Sequence, residues 1–236
     1  MSRPSVLTLL LAVLSLVFFL LLVFLRTPFP LEPLVSYQDA LDLLTPLVLI
    51  PLYWLLFQAA AATPARRAEE IAFMVLAGVW VVGHGMHLAA NSINNLIGSV
   101  PVGSMPVEVS DLVHLYDEVL SHYVWHIGVI GLALLLIKRE WRGPAEVATP
   151  RWMALLGGVI YGFTLFSVFL EGQTVVLGLP FVAGVVLFAL AQRRELASRR
   201  PVLAFFAISS AVALLLFTGW GLYWGGFPQF SDVGLV

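Results

Sequence analysis

The chain has 236 residues, 60% of them hydrophobic and 11% charged, with mean hydropathy +0.96. A soluble domain carries about 25% charged residues, and a net charge of −2 gives no reason to expect nucleic-acid binding. The absence of cysteine excludes disulfides, thiolate metal sites, iron–sulfur clusters and covalently attached c-type haem.

In chain order the apolar residues fall into seven segments, at approximately 5–25, 41–61, 71–96, 111–137, 152–170, 174–192 and 202–224. Most hold the roughly 20 residues needed to cross a bilayer core about 30 Å thick. The expected fold class is therefore an all-α integral membrane protein, a seven-transmembrane-helix bundle making one polytopic domain over residues 1–236. The first segment is longer than a signal-peptide core and no A-x-A site follows it, so it reads as a retained anchor. The sixth is interrupted by Gly178, Pro180 and Gly184, which admits a kinked or re-entrant helix.

Alternate loops on one side collect Arg3, Arg66, Arg67, Lys138, Arg139, Arg142, Arg151, Arg193, Arg194, Arg199 and Arg200, against Arg26 alone on the other. This asymmetry places the N-terminus in the cytoplasm and the C-terminus outside the cell membrane. Trp220, Tyr223 and Trp224 close the last segment where an interfacial aromatic belt belongs.

All five histidines lie between positions 84 and 126. At about 100° per residue, His84, His87, Asn91 and Asn95 share one face of the third helix, with Asn94 at its margin. On the fourth, His114, Glu118, His122 and His126 form one stripe with Asp111 and Trp125, while Asp117 points elsewhere, toward the interface or another helix. The external loop at roughly 97–110 makes these helices antiparallel neighbours, and equal depth pairs His84 with His126 and His87 with His122. Thr164, Ser167 and Glu171 on the fifth helix, and Asp39 and Asp42 on the second, add polar groups in the outer half. The cytoplasmic half offers little beyond Gln58, Ser209 and Ser210. Gly83 and Gly85 read as points of close helix contact, and the asparagines as inter-helix glue.

Polar groups buried in a bilayer cost several kcal/mol unless they satisfy one another or hold something. Imidazole and carboxylate without thiol suit a divalent transition metal, zinc foremost, with iron, manganese or copper as alternatives. The expected ligand pool is His84, His87, Glu118, His122 and His126. Glu118 serves as ligand or general base, His114 as proton carrier at the mouth, and Asn91, Asn95 and Glu171 orient substrate or water. The leading expectation is an intramembrane metal-dependent hydrolase or oxidoreductase acting on a lipid or small apolar substrate. A proton or metal-ion transporter or sensor is the second reading. A haem- or quinone-binding electron-transfer subunit, with His84 and His126 as axial ligands, is the third.

Seven helices with histidines and acids in the membrane resemble the superfamily of adiponectin receptors and alkaline ceramidases, whose zinc is held by histidines and an aspartate. That family takes two histidines from an H-x3-H on its last helix. Here the spacing occurs at His122 and His126 on the fourth, and no histidine follows, so the chain is not assigned to it. The one lysine, Lys138, lies in a loop, which excludes a retinal protein.

Overall fold

The computed structural model describes residues 3–98, 101, 106–143, 151–192 and 200–235. Arg193, Arg194 and Arg199 of the charge asymmetry lie outside the described residues, as do 99–100 and 102–105 of the third-to-fourth connection.

Helix α1 (Arg3–Phe19) passes through a 3-10 turn (Leu21–Phe24) into a small antiparallel hairpin, β1 (Pro28–Phe29) with β2 (Glu32–Ser36). Helix α2 (Tyr37–Asp42) starts on a capping box. The Ser36 hydroxyl accepts the Asp39 N–H at 3.1 Å and the Asp39 carboxylate accepts the Ser36 N–H at 2.9 Å. Helix α3 (Leu44–Ala59) follows almost without interruption, then α4 (Arg67–Gly98) and α5 (Val107–His114). A π-helical turn (Leu115–Leu120) joins α5 to α6 (Ser121–Arg142) as one long rod. Helices α7 (Arg151–Glu171), α8 (Val175–Ala191) and α9 (Pro201–Trp224) complete the chain.

Each expected apolar segment falls on a helix. Five stretches are long and apolar enough to cross a membrane: Tyr37–Ala59, Arg67–Gly98, Val107–Arg142, Trp152–Glu171 and Pro201–Trp224. The apolar helices α1 and α8 are shorter, at 17 residues each. Apart from the hairpin, this is an all-α multi-pass membrane protein. The interruption anticipated at Gly178 and Pro180 does not end α8. Pro180 lies in its second turn, and Gly178 makes room for the ring of Phe169, whose Cγ would lie 2.5 Å from an added Cβ.

The most extensive helix pair is α4 with α6, followed by α7 with α9 and α1 with α7. Between lipid-like surfaces the hydrophobic effect does not drive association, so close van der Waals packing must hold the bundle together. Buried aromatic rings supply much of that packing. Tyr53 meets Trp80 edge-on at 5.6 Å, and its hydroxyl bonds that of Tyr161 at 2.5 Å.

The half that the sequence left nearly empty of ionisable groups holds a buried network. Arg139 donates to the carbonyls of Phe57 (2.7 Å) and Thr63 (2.8 Å) and to Glu69 (3.2 Å), and Arg142 donates to the same carboxylate at 2.7 Å. Glu140, fully buried, accepts the N–H groups of Val202 (2.9 Å) and Leu203 (2.7 Å) and so caps α9, whose first residue is proline. The end of α6 is thereby fastened to α3, α4 and α9. Arg139 lies 13 residues beyond His126, about 20 Å along the same helix at 1.5 Å per residue. The histidines occupy the other end of the bundle.

Candidate functional site at the histidine end

Two glycines bring the histidine-bearing helices together. A Cβ on Gly83 would lie 2.8 Å from the Ser121 carbonyl oxygen, and one on Gly128 would lie 2.7 Å from the Trp80 nitrogen. Backbone therefore meets backbone on both sides of the α4–α6 crossing. Gly85, expected to share this role, faces open space.

The π-helical turn then decides which acid enters the contact. Hydrogen bonds running i to i+5 take in one extra residue, so the faces of α5 and α6 are not in simple α-helical register. Asp117 is fully buried against α4, where it receives the amide of Asn94 at 3.1 Å. His87 Nδ1 lies 3.0 Å from Asp117 Oδ1, with its hydrogen bond directed at the Asp117 carbonyl at 3.4 Å. Asp117 thus points toward another helix, one of the two expected directions, and that helix is α4, which carries His87 and Asn94. Glu118 is half-buried and faces a cavity, whereas His114 and Asp111 are exposed and line none of the cavities described below.

A second acid arrives from α2. His84 Nε2 lies 3.1 Å from the Asp42 carbonyl and 3.4 Å from its carboxylate, which also receives the Thr45 hydroxyl at 2.7 Å. His122 Nδ1 donates to the Glu118 carbonyl at 3.0 Å, and His126 Nδ1 pairs with the Thr174 hydroxyl at 2.5 Å. A carbonyl can only accept, so the nitrogens of His84, His87 and His122 that face carbonyls carry the protons. In the neutral rings the lone pair then sits on His84 Nδ1, His87 Nε2 and His122 Nε2. Among the described residues nothing hydrogen-bonds the buried His84 Nδ1 or His126 Nε2.

One of the two expected histidine pairs forms. The rings of His87 and His122 are 4.7 Å apart, and those of His122 and His126 are 5.8 Å apart. The centre of the group is an indole. Trp125 lies 5.1 Å from His84, 6.0 Å from His87, 5.9 Å from His122 and 4.8 Å from His126. His84 and His126 thus pack on Trp125 rather than on each other, and a haem bridged between them would have the indole in its place. Among the described residues no group of three or more His, Asp or Glu side chains is gathered to hold a metal ion. The five-residue ligand pool is accordingly not assembled as one set.

The site opens into a cavity of about 540 Å³, within the range of small-molecule pockets. Asp42, His87, Asn91, Glu118, His122 and Glu171 form its polar wall. Leu16, Phe19, Leu20 and Leu22, from the end of α1 and its 3-10 turn, form the apolar wall with Phe163. The segment after α9 lies across the cavity. Glu171 accepts the Phe230 N–H at 2.6 Å and its carbonyl accepts the Gln229 amide, while Trp220 donates to Pro228 at 3.0 Å. Asn91, bonded to Asp39 at 3.1 Å, lies between this cavity and an adjoining one of about 580 Å³ that Asn95 and Arg26 also line. Asn95 is exposed and absent from the first cavity. The sequence signals for Ser167 and Glu171 sharing a face are met, whereas Thr174, the wall from α1 and the C-terminal segment come from packing that periodicity does not report.

No family model matches the chain, and no curated protein and no solved structure is similar to it. Function must be argued from the site.

Proposed function

We propose that the chain is a seven-crossing protein of the cell membrane that takes a small amphipathic molecule into the histidine-end cavity and acts on it with His87 and His122. The observation carrying this reading is the cavity itself, hydrocarbon on the α1 side and imidazole and carboxylate on the other. His87, held by Asp117, and His122, held by the Glu118 carbonyl, each keep Nε2 for a bound molecule. That arrangement suits proton transfer to or from a bound molecule. Asn91 and Glu171 orient the ligand, while the exposed His114 and Asn95 stand outside the chemistry.

A metal-dependent version has one observation in its favour. Each of these four histidines has one ring nitrogen anchored by an oxygen, which is how metal-ligating imidazoles are held in orientation. A divalent ion, zinc foremost, would take His87 and His122 together with Glu118 or Glu171 and would supply Lewis acidity.

One preparation tests both versions. A photoreactive single-chain lipid is expected to label the end of α1 and Phe163 strongly in wild-type membranes and weakly in a Ser167→Trp variant, whose indole fills the cavity. Uniform labelling of lipid-facing surfaces in both proteins counts against the cavity. Elemental analysis of the same material is expected to show stoichiometric metal that His122→Ala loses; metal-free wild-type protein removes the metal version alone.

The charge asymmetry supports cytoplasmic placement of the N-terminus and external placement of the C-terminus. A reporter fused after Val236 is expected to be active only in a form that functions outside the cytoplasm. Cytoplasmic activity at that position reverses the direction in which the cavity opens.

A further inference from the structure

We infer that the molecule occupying this cavity carries a positively charged nitrogen in its head, an alkyl ammonium rather than an anionic or alcohol amphiphile. The inference rests on the proposed binding role of the cavity and goes on to name the ligand class.

The polar wall is rich in acceptors and negative charge. Asp42, Glu118 and Glu171 line it from α2, the π-helical turn and the end of α7, against Arg26 as the one guanidinium among the lining residues. Asp42 is partly occupied by His84 and Thr45. Glu171 Oε1 receives the Phe230 N–H, and no hydrogen bond from a described residue reaches the Glu118 carboxylate. A carboxylate offers about four lone-pair positions, so most of this acceptor capacity is open. His87 and His122 add lone pairs at Nε2, because their Nδ1 atoms face carbonyls.

A second feature is independent of the acids. Ser167 is fully buried, lines the same cavity, and has a hydroxyl with no partner among the described residues. An unsatisfied buried hydroxyl is destabilising, and a ligand hydrogen-bonding here would relieve that cost.

An ammonium group provides three donors and a positive charge in one small head. An anionic head would face three carboxylates, and like-charge juxtaposition is strongly unfavourable. An alcohol head, with a single O–H donor, would engage one acceptor and leave the charge unbalanced. Phe19 and Trp125, whose ring centroids are 5.3 Å apart, give aromatic faces beside the acids, and such faces attract cations. The leucines at the end of α1 accept the hydrocarbon tail.

The test uses the full chain in nanodiscs with a chelator present, so that no divalent ion competes. Dodecylamine, dodecanol and dodecyl sulfate share one tail and differ only in the head. Dodecylamine is expected to bind at least about tenfold more tightly than either of the others, because hydrogen bonds from a charged donor are stronger than those from the alcohol and the sulfate is repelled by the carboxylates. Glu118→Gln combined with Glu171→Gln is expected to bring amine and alcohol to within about twofold, while Arg26→Gln leaves the amine preference in place. Equal or tighter binding of the alcohol or the sulfate overturns the inference, as does absence of amine binding. Ser167→Trp separates this failure from failure of the cavity reading, with Ser167→Leu used if the tryptophan variant does not fold. Binding that the filled cavity abolishes but that favours another head refutes only the ammonium assignment. Binding that the filled cavity leaves unchanged refutes the cavity as the site.

Discussion

Asp117→Ala is expected to destabilise the protein by about 3–5 kcal/mol, the usual consequence of removing one partner from a buried polar pair, with Glu118→Ala costing less than about 1 kcal/mol, as expected of a side chain with no partner to strand. Asp117 is fully buried and receives the Asn94 amide at 3.1 Å. Its carboxylate lies 3.0 Å from His87 Nδ1. Alanine strands the Asn94 amide inside the α4–α6 contact, takes the carboxylate charge away from His87, whose hydrogen bond to the backbone carbonyl of residue 117 remains, and leaves a small void. Asp117→Asn keeps one acceptor for Asn94 and belongs between the two, at about 1–3 kcal/mol. Thermal denaturation of the purified variants orders the three substitutions. If Glu118→Ala proves the damaging one, an unbroken α-helical register across Leu115–Leu120 is restored and the π-helical turn with its site geometry is lost.

That pair of neighbours also shows what could be read from the sequence. Apolar run length located the long apolar helices, because crossing a bilayer core takes roughly 20 residues. The density of histidines then marked the candidate functional end, and the i+4 spacing of His122 and His126 survives because both lie beyond the π-helical turn. Glu118 and Asp117 exchange roles because one extra residue in a turn is a local event that leaves no periodic trace. Glu69, Arg139 and Glu140 sit at helix ends where charge is normally solvated. Their burial depends on Phe57, Thr63 and the start of α9 arriving from elsewhere in the chain. The apolar wall of the cavity is likewise tertiary, since α1 shares no pattern with the histidine helices. Gly85 is different. It lies two residues from Gly83, about 200° around the helix, so simple geometry already forbids both from facing α6.

The same geometry makes the glycines the sharpest probe of the site. Gly83→Ala and Gly128→Ala are each expected to lower stability by about 1–3 kcal/mol, the usual cost of overpacking, and leucine at either position by more. The obstructing atoms are backbone: the Ser121 carbonyl at 2.8 Å for Gly83, and the Trp80 nitrogen at 2.7 Å and Leu76 carbonyl at 2.9 Å for Gly128. No rotamer change relieves such a contact, so α4 and α6 must separate. Separation pulls His87 from Asp117 and widens the 4.7 Å approach of His87 to His122, so ligand binding in the cavity falls together with stability. Gly85→Ala adds a methyl group in open space on the same helix and gains helix propensity of up to about 1 kcal/mol. Thermal midpoints of Gly83→Ala and Gly85→Ala therefore move in opposite directions, and ligand binding falls in Gly83→Ala alone. Equal midpoints for the two variants mean that the helices do not meet at Gly83, and the histidine stripes then have no common contact from which to form a site.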